Sequence, residues 1–562
     1  MPILDIQDFD VTYLTKRRPP FRAVIGANLS VDDGEIVGLV GESGSGKSTL
    51  GNAAIRLLDP PGTITGGRAM FQGKDITHLS AEELRRLRWK EISTVFQGSM
   101  NSLNPVINIE KQFLDVIRTH TDLSEIAARR RAEEVLEMVS IEPQYLKFFA
   151  HELSGGMKQR VALALSLVLE PSFVLLDEPT TGLDVVVQRS ILQNLKELQR
   201  AHGFAVLIIS HDLGAIMEVA DRVAVMYNGE IVDTQPARAL LESPKHPYSD
   251  HLIDAYRELW ITQDDTQETG LASKTASAAG SLISPPAKSD PVVMRVNNLG
   301  KTYTRRRGLT KSTVVAVDDV SFTLERGKIT ALVGQSGSGK STIAKLVTAV
   351  EPYDQGTITF GNTDISRLRG KALHEYRSNI QMVFQDPYSA LNPAHTILYS
   401  LMRPLQNYKG MNGRTARARA IELLEAVGLT PASRFIDKNP HQLSGGQRQR
   451  VVVARALAPE PEIVIADEPT SMLDVSIRTE ILEILNRLVR DTNIAMLYIT
   501  HDLLSARLLA DEIMVLNRGR VVEQGNADAV IGNPQDDYTR LLLNSIPNPF
   551  AELNVTTVLD HP

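Results

Sequence analysis

The sequence predicts an α/β protein in which two similar domains, each wound around a parallel sheet, follow one another along 562 residues. Three observations lead there. A glycine-rich loop occurs twice, GESGSGKST from Gly41 to Thr49 and GQSGSGKST from Gly334 to Thr342, 293 positions apart. Each loop follows a strand-like apolar run, Glu35 to Val40 or Ile329 to Val333, and leads into a helix-permissive stretch. Two further apolar runs, FVLLDEP and IVIADEP, end in carboxylates, as a central parallel strand covered on both faces would.

The duplication extends beyond the loops. Gln97 and Gln385 are 288 positions apart, and the pairs Ser154/Ser444, Asp177/Asp467 and His211/His501 are each separated by 290. A period of this size means tandem domains rather than a solenoid, whose repeats run to roughly 20–50 residues. The expected organisation is a first domain over residues 1–262, a linker over 263–290 and a second domain over 291–562, each domain ending in a short extension. The linker is rich in Ser, Ala, Thr and Gly without apolar periodicity, so it reads as a flexible tether spanning roughly 30 Å.

Composition narrows the chemistry. Hydrophobic residues make up 43% and charged residues 23%, enough for sizeable cores. A formal net charge of -7 leaves no general footprint for nucleic acid. Zero cysteines excludes disulfides, thiolate metal sites and iron–sulfur clusters. The start, MPILDIQDFDVTY, does not read as a secretory signal, and no apolar stretch approaches the roughly 20 residues that cross a bilayer as a helix. Action at a membrane would therefore need another polypeptide to span it.

Taken in chain order, the loops come first. At Gly41, Gly44 and Gly46, as at Gly334, Gly337 and Gly339, a missing side chain lets backbone N–H groups approach phosphate oxygens at a helix N-terminus. Lys47 and Lys340 bring positive charge to the β- and γ-phosphates of a nucleotide, and Ser48 and Ser341 can ligate Mg²⁺. Asp177 and Asp467 then deliver a carboxylate for the magnesium shell, and Glu178 and Glu468 one to polarise or deprotonate a water. His211 and His501 follow the apolar runs AVLIIS and AMLYIT, where an imidazole can orient that water or contact the γ-phosphate.

Upstream of each acidic strand stand LSGGMKQR, Leu153 to Arg160, and LSGGQRQR, Leu443 to Arg450. With these strings in place the chain resembles the ATP-binding cassette proteins over about residues 3–258 and 292–550, with the motifs in family order. The resemblance implies two tandem P-loop NTPase domains, each with a RecA-like parallel-sheet core, an antiparallel β subdomain and a helical subdomain. It implies ATP and Mg²⁺ as cofactors and a head-to-tail cassette pair within one chain. The ATP-binding set it implies is Tyr13, Gly41, Ser43, Gly44, Gly46, Lys47, Ser48, Thr49 and Gln97 with Ser154, Gly155 and Gly156 in one half. In the other half it is Tyr303, Gly334, Ser336, Gly337, Gly339, Lys340, Ser341, Thr342 and Gln385 with Ser444, Gly445, Gly446 and Gln447.

In that family each ATP lies between the phosphate loop of one cassette and the signature of the other, tyrosines at positions like Tyr13 and Tyr303 stack on adenine, and the glutamine reaches the magnesium and water region. Ser48, Gln97 and Asp177, or Ser341, Gln385 and Asp467, would then surround magnesium, with Glu178, His211, Glu468 and His501 catalytic. Met157 stands where the second half has Gln447, which implies a mild asymmetry because methionine cannot reproduce amide hydrogen bonds.

FQDPYSALNP, SPKHPYSDHL (243–252) and NPQDDYTRLL (533–542) resemble the importer ATPases for oligopeptides, dipeptides and nickel, with fused two-cassette forms in peptide and glutathione importers. That resemblance implies two integral membrane permease subunits, an extracytoplasmic substrate-binding protein, no nucleic acid, and a peripheral place at the cytoplasmic face of the cell membrane. Soluble twin-cassette ATPases acting on ribosomes or nucleic acid are the alternative. Their long charged linker or cysteine-bound clusters have no counterpart here, since the linker holds only Lys274 and Lys288 as basic residues. Two arginine-rich runs, Ala127 to Val139 and Thr415 to Leu429, read as amphipathic helices with a solvated basic face, the second with apolar positions Ile421, Leu424 and Val427.

Overall fold

The computed structural model describes residues 2–15, 19–96, 98, 102–258, 291–307, 310–471, 473 and 475–550. The linker expected over 263–290 lies outside them, as does Gln97. Two compact units emerge, one comprising Met1–Arg257 with Ile546 onward, the other Glu258–Ser545.

In the first unit a six-stranded sheet runs in the order Ile92–Val95, Phe173–Asp177, Ala205–Ile209, Ile36–Val40, Arg222–Tyr227 and Glu230–Pro236. The first five strands are parallel and the last is antiparallel. Every residue of the three strands Phe173–Asp177, Ala205–Ile209 and Ile36–Val40 is buried, which is why those runs are continuously apolar instead of alternating. The second unit repeats this with Ile380–Val383, Ile463–Asp467, Ala495–Thr500, Ile329–Val333, Glu512–Asn517 and Arg520–Asn526. The expected strand at Ile329–Val333 is found as such, and the one expected from Glu35 begins at Ile36.

Each unit also carries a four-stranded antiparallel sheet. In the first its order is Phe21–Asp32, Pro2–Tyr13, Gly62–Phe71 and Lys74–Asp75. Its inner face, with Leu4, Ile6, Phe9 and Val24, joins Leu39, Phe173 and Leu207 of the parallel sheet in one core. A third layer is helical, with Ile109–His120, Glu125–Met138 and Gly155–Leu167 in the first unit. Its counterparts in the second are Ile397–Lys409, Gly413–Ala426 and Gly445–Leu457. The α/β class, with parallel core, antiparallel sheet and helical portion in each half, is the one expected.

The arginine-rich helices differ from expectation in detail. On Gly413–Ala426 the buried face is formed by Ala416, Ala420, Leu423 and Leu424, while Ile421 is half-buried. The small alanines, not Ile421, let this helix approach its neighbours closely. The basic faces are solvated as expected, with Arg129, Arg130 and Arg417 exposed, and they carry ion pairs: Arg417 with Asp437, Arg419 with Glu422 and Glu460, and Arg131 with Glu134 and Glu170.

Candidate functional site

In both units the glycine loop bridges the central strand and a helix, Lys47–Ala54 or Lys340–Val347. Gly46 has φ +109°, and a Cβ there would lie 2.3 Å from the Ala23 carbonyl oxygen. Gly339, at φ +114°, would meet the Ala316 carbonyl oxygen at 2.3 Å. Both the dihedral and the close approach demand glycine. Lys47 is 5% exposed, and its Nζ donates to the carbonyls of Gly41 at 2.7 Å and Glu42 at 2.8 Å. Lys340 donates in the same way to Gly334 and Gln335, at 2.6 and 2.9 Å. The ammonium is thus folded back over a loop whose N–H groups begin a helix, an arrangement suited to phosphate.

The parallel sheet brings the acids to the same end. Asp177 closes its strand 3% exposed, accepting a hydrogen bond from Ser48 Oγ at 2.9 Å. Burial pushes its carboxyl above the usual range; Ser48 and Lys47 pull the other way, and the Glu178 charge adds to the rise. Asp467 is pushed up to about 6 by burial and the Glu468 charge, against Lys340 and Ser341. Each site therefore holds a carboxylate, buried at Asp177 and half-buried at Asp467, beside a serine hydroxyl, with less positive charge than its acids call for. Hard oxygen donors short of compensating charge fit Mg²⁺.

The next residue is held differently. Glu178 and Glu468 have φ of +48° and +44°, left-handed backbone that non-glycine residues adopt at a cost and that clusters at functional sites. Glu178 Oε1 lies 3.2 Å from His211 Nδ1, and Oε2 accepts from Thr181 Oγ1 at 2.9 Å. Burial pushes the Glu178 carboxyl up, but the hydrogen bond and charge of His211 outweigh it and hold the group at about 2. In the second unit Glu468 Oε2 lies 3.2 Å from His501 Nδ1 and accepts from Gln385 Nε2 at 2.8 Å. There too His501 overcomes the effect of burial, and the carboxyl is lowered. Nδ1 is thus the nitrogen that each ring sets against its glutamate carboxylate.

The remaining expected residues occupy other elements. Tyr13 ends the second strand of the antiparallel sheet's order, with Oη 3.2 Å from Thr49 Oγ1. Tyr303 hydrogen-bonds the Glu351 carboxylate as well as the corresponding Thr342. The signature serines cap the helices Gly155–Leu167 and Gly445–Leu457, accepting from the N–H of Met157 and Gln447 at 3.3 Å each. Gly156 and Gly446 sit against Val187 and Ile477, which a Cβ would approach to 2.6 Å. The Met157 difference acquires a structural meaning: Gln447 Oε1 accepts the Ser444 N–H at 3.2 Å, closing a reciprocal cap that methionine cannot make.

Thr181 escaped the sequence reading. Its signal was a hydroxyl three residues beyond the glutamate, but Ser471 has the same signal and bonds the Glu468 backbone carbonyl at 3.1 Å instead of the carboxylate.

Residues 24–181 and 317–471 match the family described as ABC transporter. Residues 232–280 and 522–559 match the oligopeptide/dipeptide transporter C-terminal region. The chain is 38% identical over 566 residues to the glutathione import ATP-binding proteins GsiA of Shigella flexneri and Escherichia coli (strain K12), covering 97% of this chain and 89% of each relative. Among solved structures it is similar to the ATP-binding cassette MJ0796 in a dimeric post-hydrolysis state bound to ADP and Pi. The identity is 33% over 42% of this chain and 98% of that one, with a TM-score of 0.38. It is also similar to cbiO1 from Clostridium perfringens, 30% identical over 43% and 92%, with a TM-score of 0.39. With two complete phosphate loops, two acid–histidine pairs and two such C-terminal regions, the chain belongs to the ABC transporter family, as a twin-cassette ATPase of its oligopeptide/dipeptide branch.

Proposed function

We propose that this chain is the ATP-hydrolysing subunit of a membrane importer for peptides, bound at the cytoplasmic face of the membrane to two permease subunits and served by an extracytoplasmic binding protein. The observation that carries this reading is the oligopeptide/dipeptide C-terminal region, present after both cassettes. Glutathione, named in the relatives, is an alternative ligand, as are nickel and another small solute. Among the described residues no helix is long and apolar enough to cross a membrane, so the permeases supply the path.

In the proposed mechanism Lys47 and the N–H groups of the Gly41–Thr49 loop hold the phosphates, as do Lys340 and the Gly334–Thr342 loop, with Tyr13 and Tyr303 beside adenine. Ser48 with Asp177, and Ser341 with Asp467, would hold a magnesium ion whose charge offsets that developing on phosphate oxygens. Gln385, which also holds the Glu468 carboxylate, would complete that shell in the second cassette, and the resemblance implies Gln97 for the same role in the first. Glu178 and Glu468, kept ionised by their histidines, align the attacking water and accept its proton. Ser154, Gly155 and Gly156, like Ser444, Gly445, Gly446 and Gln447, would offer helix N-termini to a γ-phosphate. ATP binding would then favour closure and hydrolysis opening, a population shift the permeases read as alternating access.

The test is purification of the tagged chain from gently solubilised membranes, then ATPase assays of the reconstituted complex with binding protein loaded with dipeptides, oligopeptides, glutathione or Ni²⁺. Copurified permeases and stimulation by a peptide support the proposal. Stimulation by Ni²⁺ alone would transfer it to the metal, and ribosomes without membrane proteins would overturn it. Chelation with EDTA is expected to abolish hydrolysis, and Mg²⁺ to restore it.

A further inference from the structure

The C-terminal extension of each cassette returns to its own phosphate loop. Tyr248, on the helix Pro247–Glu258, accepts the Glu42 N–H on its Oη at 3.2 Å, across 206 positions of sequence. Tyr538, on the helix Asp537–Asn544, accepts the Gln335 N–H at 3.0 Å. The same two peptides receive the phosphate-loop lysines on their carbonyls, Lys47 on Gly41 at 2.7 Å and Lys340 on Gly334 at 2.6 Å. One peptide plane is therefore gripped from both sides, by the lysine that serves the phosphate and by a tyrosine from the extension.

The extension is itself tied down the same way twice. Asp233, on the last strand of the first sheet, accepts the Lys245 N–H at 2.8 Å; Glu523, on the corresponding strand, accepts the Gln535 and Asp536 N–H groups at 2.8 and 3.1 Å. In the first unit Tyr248 also stacks on Tyr227, ring centroids 4.1 Å apart. Different acids and different surroundings deliver a tyrosine hydroxyl to the same loop peptide. Both tyrosines lie in the residues that match the oligopeptide/dipeptide transporter C-terminal region, which nothing in the phosphate-loop chemistry by itself requires.

We propose that Tyr248 and Tyr538 are positioning residues through which the C-terminal extension sets the conformation of the phosphate loop and hence nucleotide affinity. A loop peptide that can rotate carries its lysine-bearing carbonyl with it, and the ammonium loses its place over the phosphates. The inference rests on ATP binding at these loops and is independent of which solute is carried.

The test uses the full chain and its Tyr248→Phe, Tyr538→Phe and doubly substituted variants, with ATP and ADP as probes. Phenylalanine keeps the ring and removes the hydroxyl that accepts the loop N–H. Loss of one hydrogen bond predicts about fivefold weaker nucleotide binding in the double variant, seen as a raised KM with kcat at saturating ATP within about twofold. Hydrogen exchange at the Glu42 and Gln335 amides should accelerate while the thermal transition stays in place. Unchanged affinity and exchange would overturn the proposal, as would a loss of affinity that merely tracks a lowered thermal transition, or a fall in kcat without a change in KM. If the unsubstituted chain fails to bind ATP, the nucleotide-site reading falls, and this proposal with it.

Discussion

Thr181 and Ser471 occupy matching positions in the two cassettes, yet the structure predicts that only one of them supports hydrolysis. Thr181 Oγ1 donates to the Glu178 carboxylate at 2.9 Å, whereas Ser471 Oγ donates to the Glu468 backbone carbonyl. Thr181→Val removes the donor and preserves the shape, leaving the His211 contact at Oε1 in place. A hydrogen bond to a charged group contributes about 1.5–3 kcal/mol. Taking the lower end for a half-buried hydroxyl, about 1.5 kcal/mol corresponds to roughly a tenfold slower chemical step at the first site. If the sites fire independently, total turnover falls by about half; if they are coupled, it falls by up to about tenfold. Ser471→Ala leaves the Glu468 carboxylate on His501 and Gln385 and should keep turnover within about twofold. The assay is steady-state ATPase of the full chain at saturating Mg²⁺ and ATP, with unfolding followed in parallel to confirm a stability change below about 1 kcal/mol. An unchanged rate for Thr181→Val, or an equal loss for Ser471→Ala, would show that carboxylate anchoring by the hydroxyl is not part of catalysis.

His211→Ala and His501→Ala remove the ring that faces each glutamate, and about a hundredfold loss at the altered site is expected with ATP affinity nearly unchanged, read from single-turnover hydrolysis and equilibrium binding. Gly46→Ala forces a Cβ to within 2.3 Å of the Ala23 carbonyl oxygen at φ +109°. It should cost a few kcal/mol in urea unfolding and abolish binding at that loop; native affinity would contradict the loop geometry. Met157→Gln should close the cap that Gln447 closes in the other half, stabilising the helix start by about 0.5 kcal/mol, with slower hydrogen exchange at the Ser154 amide as the readout.

Much of the site was legible because its chemistry is local in sequence. A phosphate loop needs its glycines, lysine and serine within one turn, since consecutive N–H groups at a helix start do the binding, so nine residues disclose it. Asp177 and Glu178 were legible because a strand buried on both faces must be apolar until it emerges, and where it emerges the charge appears. The serines Ser154 and Ser444 announced their helices by the ordinary capping rule.

Contacts that depend on where the chain returns were not legible. No local pattern says that Tyr248 meets Glu42, that Thr181 turns to a carboxylate while Ser471 turns to a carbonyl, or that Arg419 finds Glu460 instead of water. The sequence by itself determined the duplicated α/β architecture and the candidate groups for phosphate, because periodicity and contiguous motifs act over a few residues. Only the tertiary structure decided how those groups are held, because a hydrogen bond between residues some 200 positions apart forms where packing of the sheets and helices places its two ends, and a single hydroxyl's choice of partner turns on ångström differences that composition does not record.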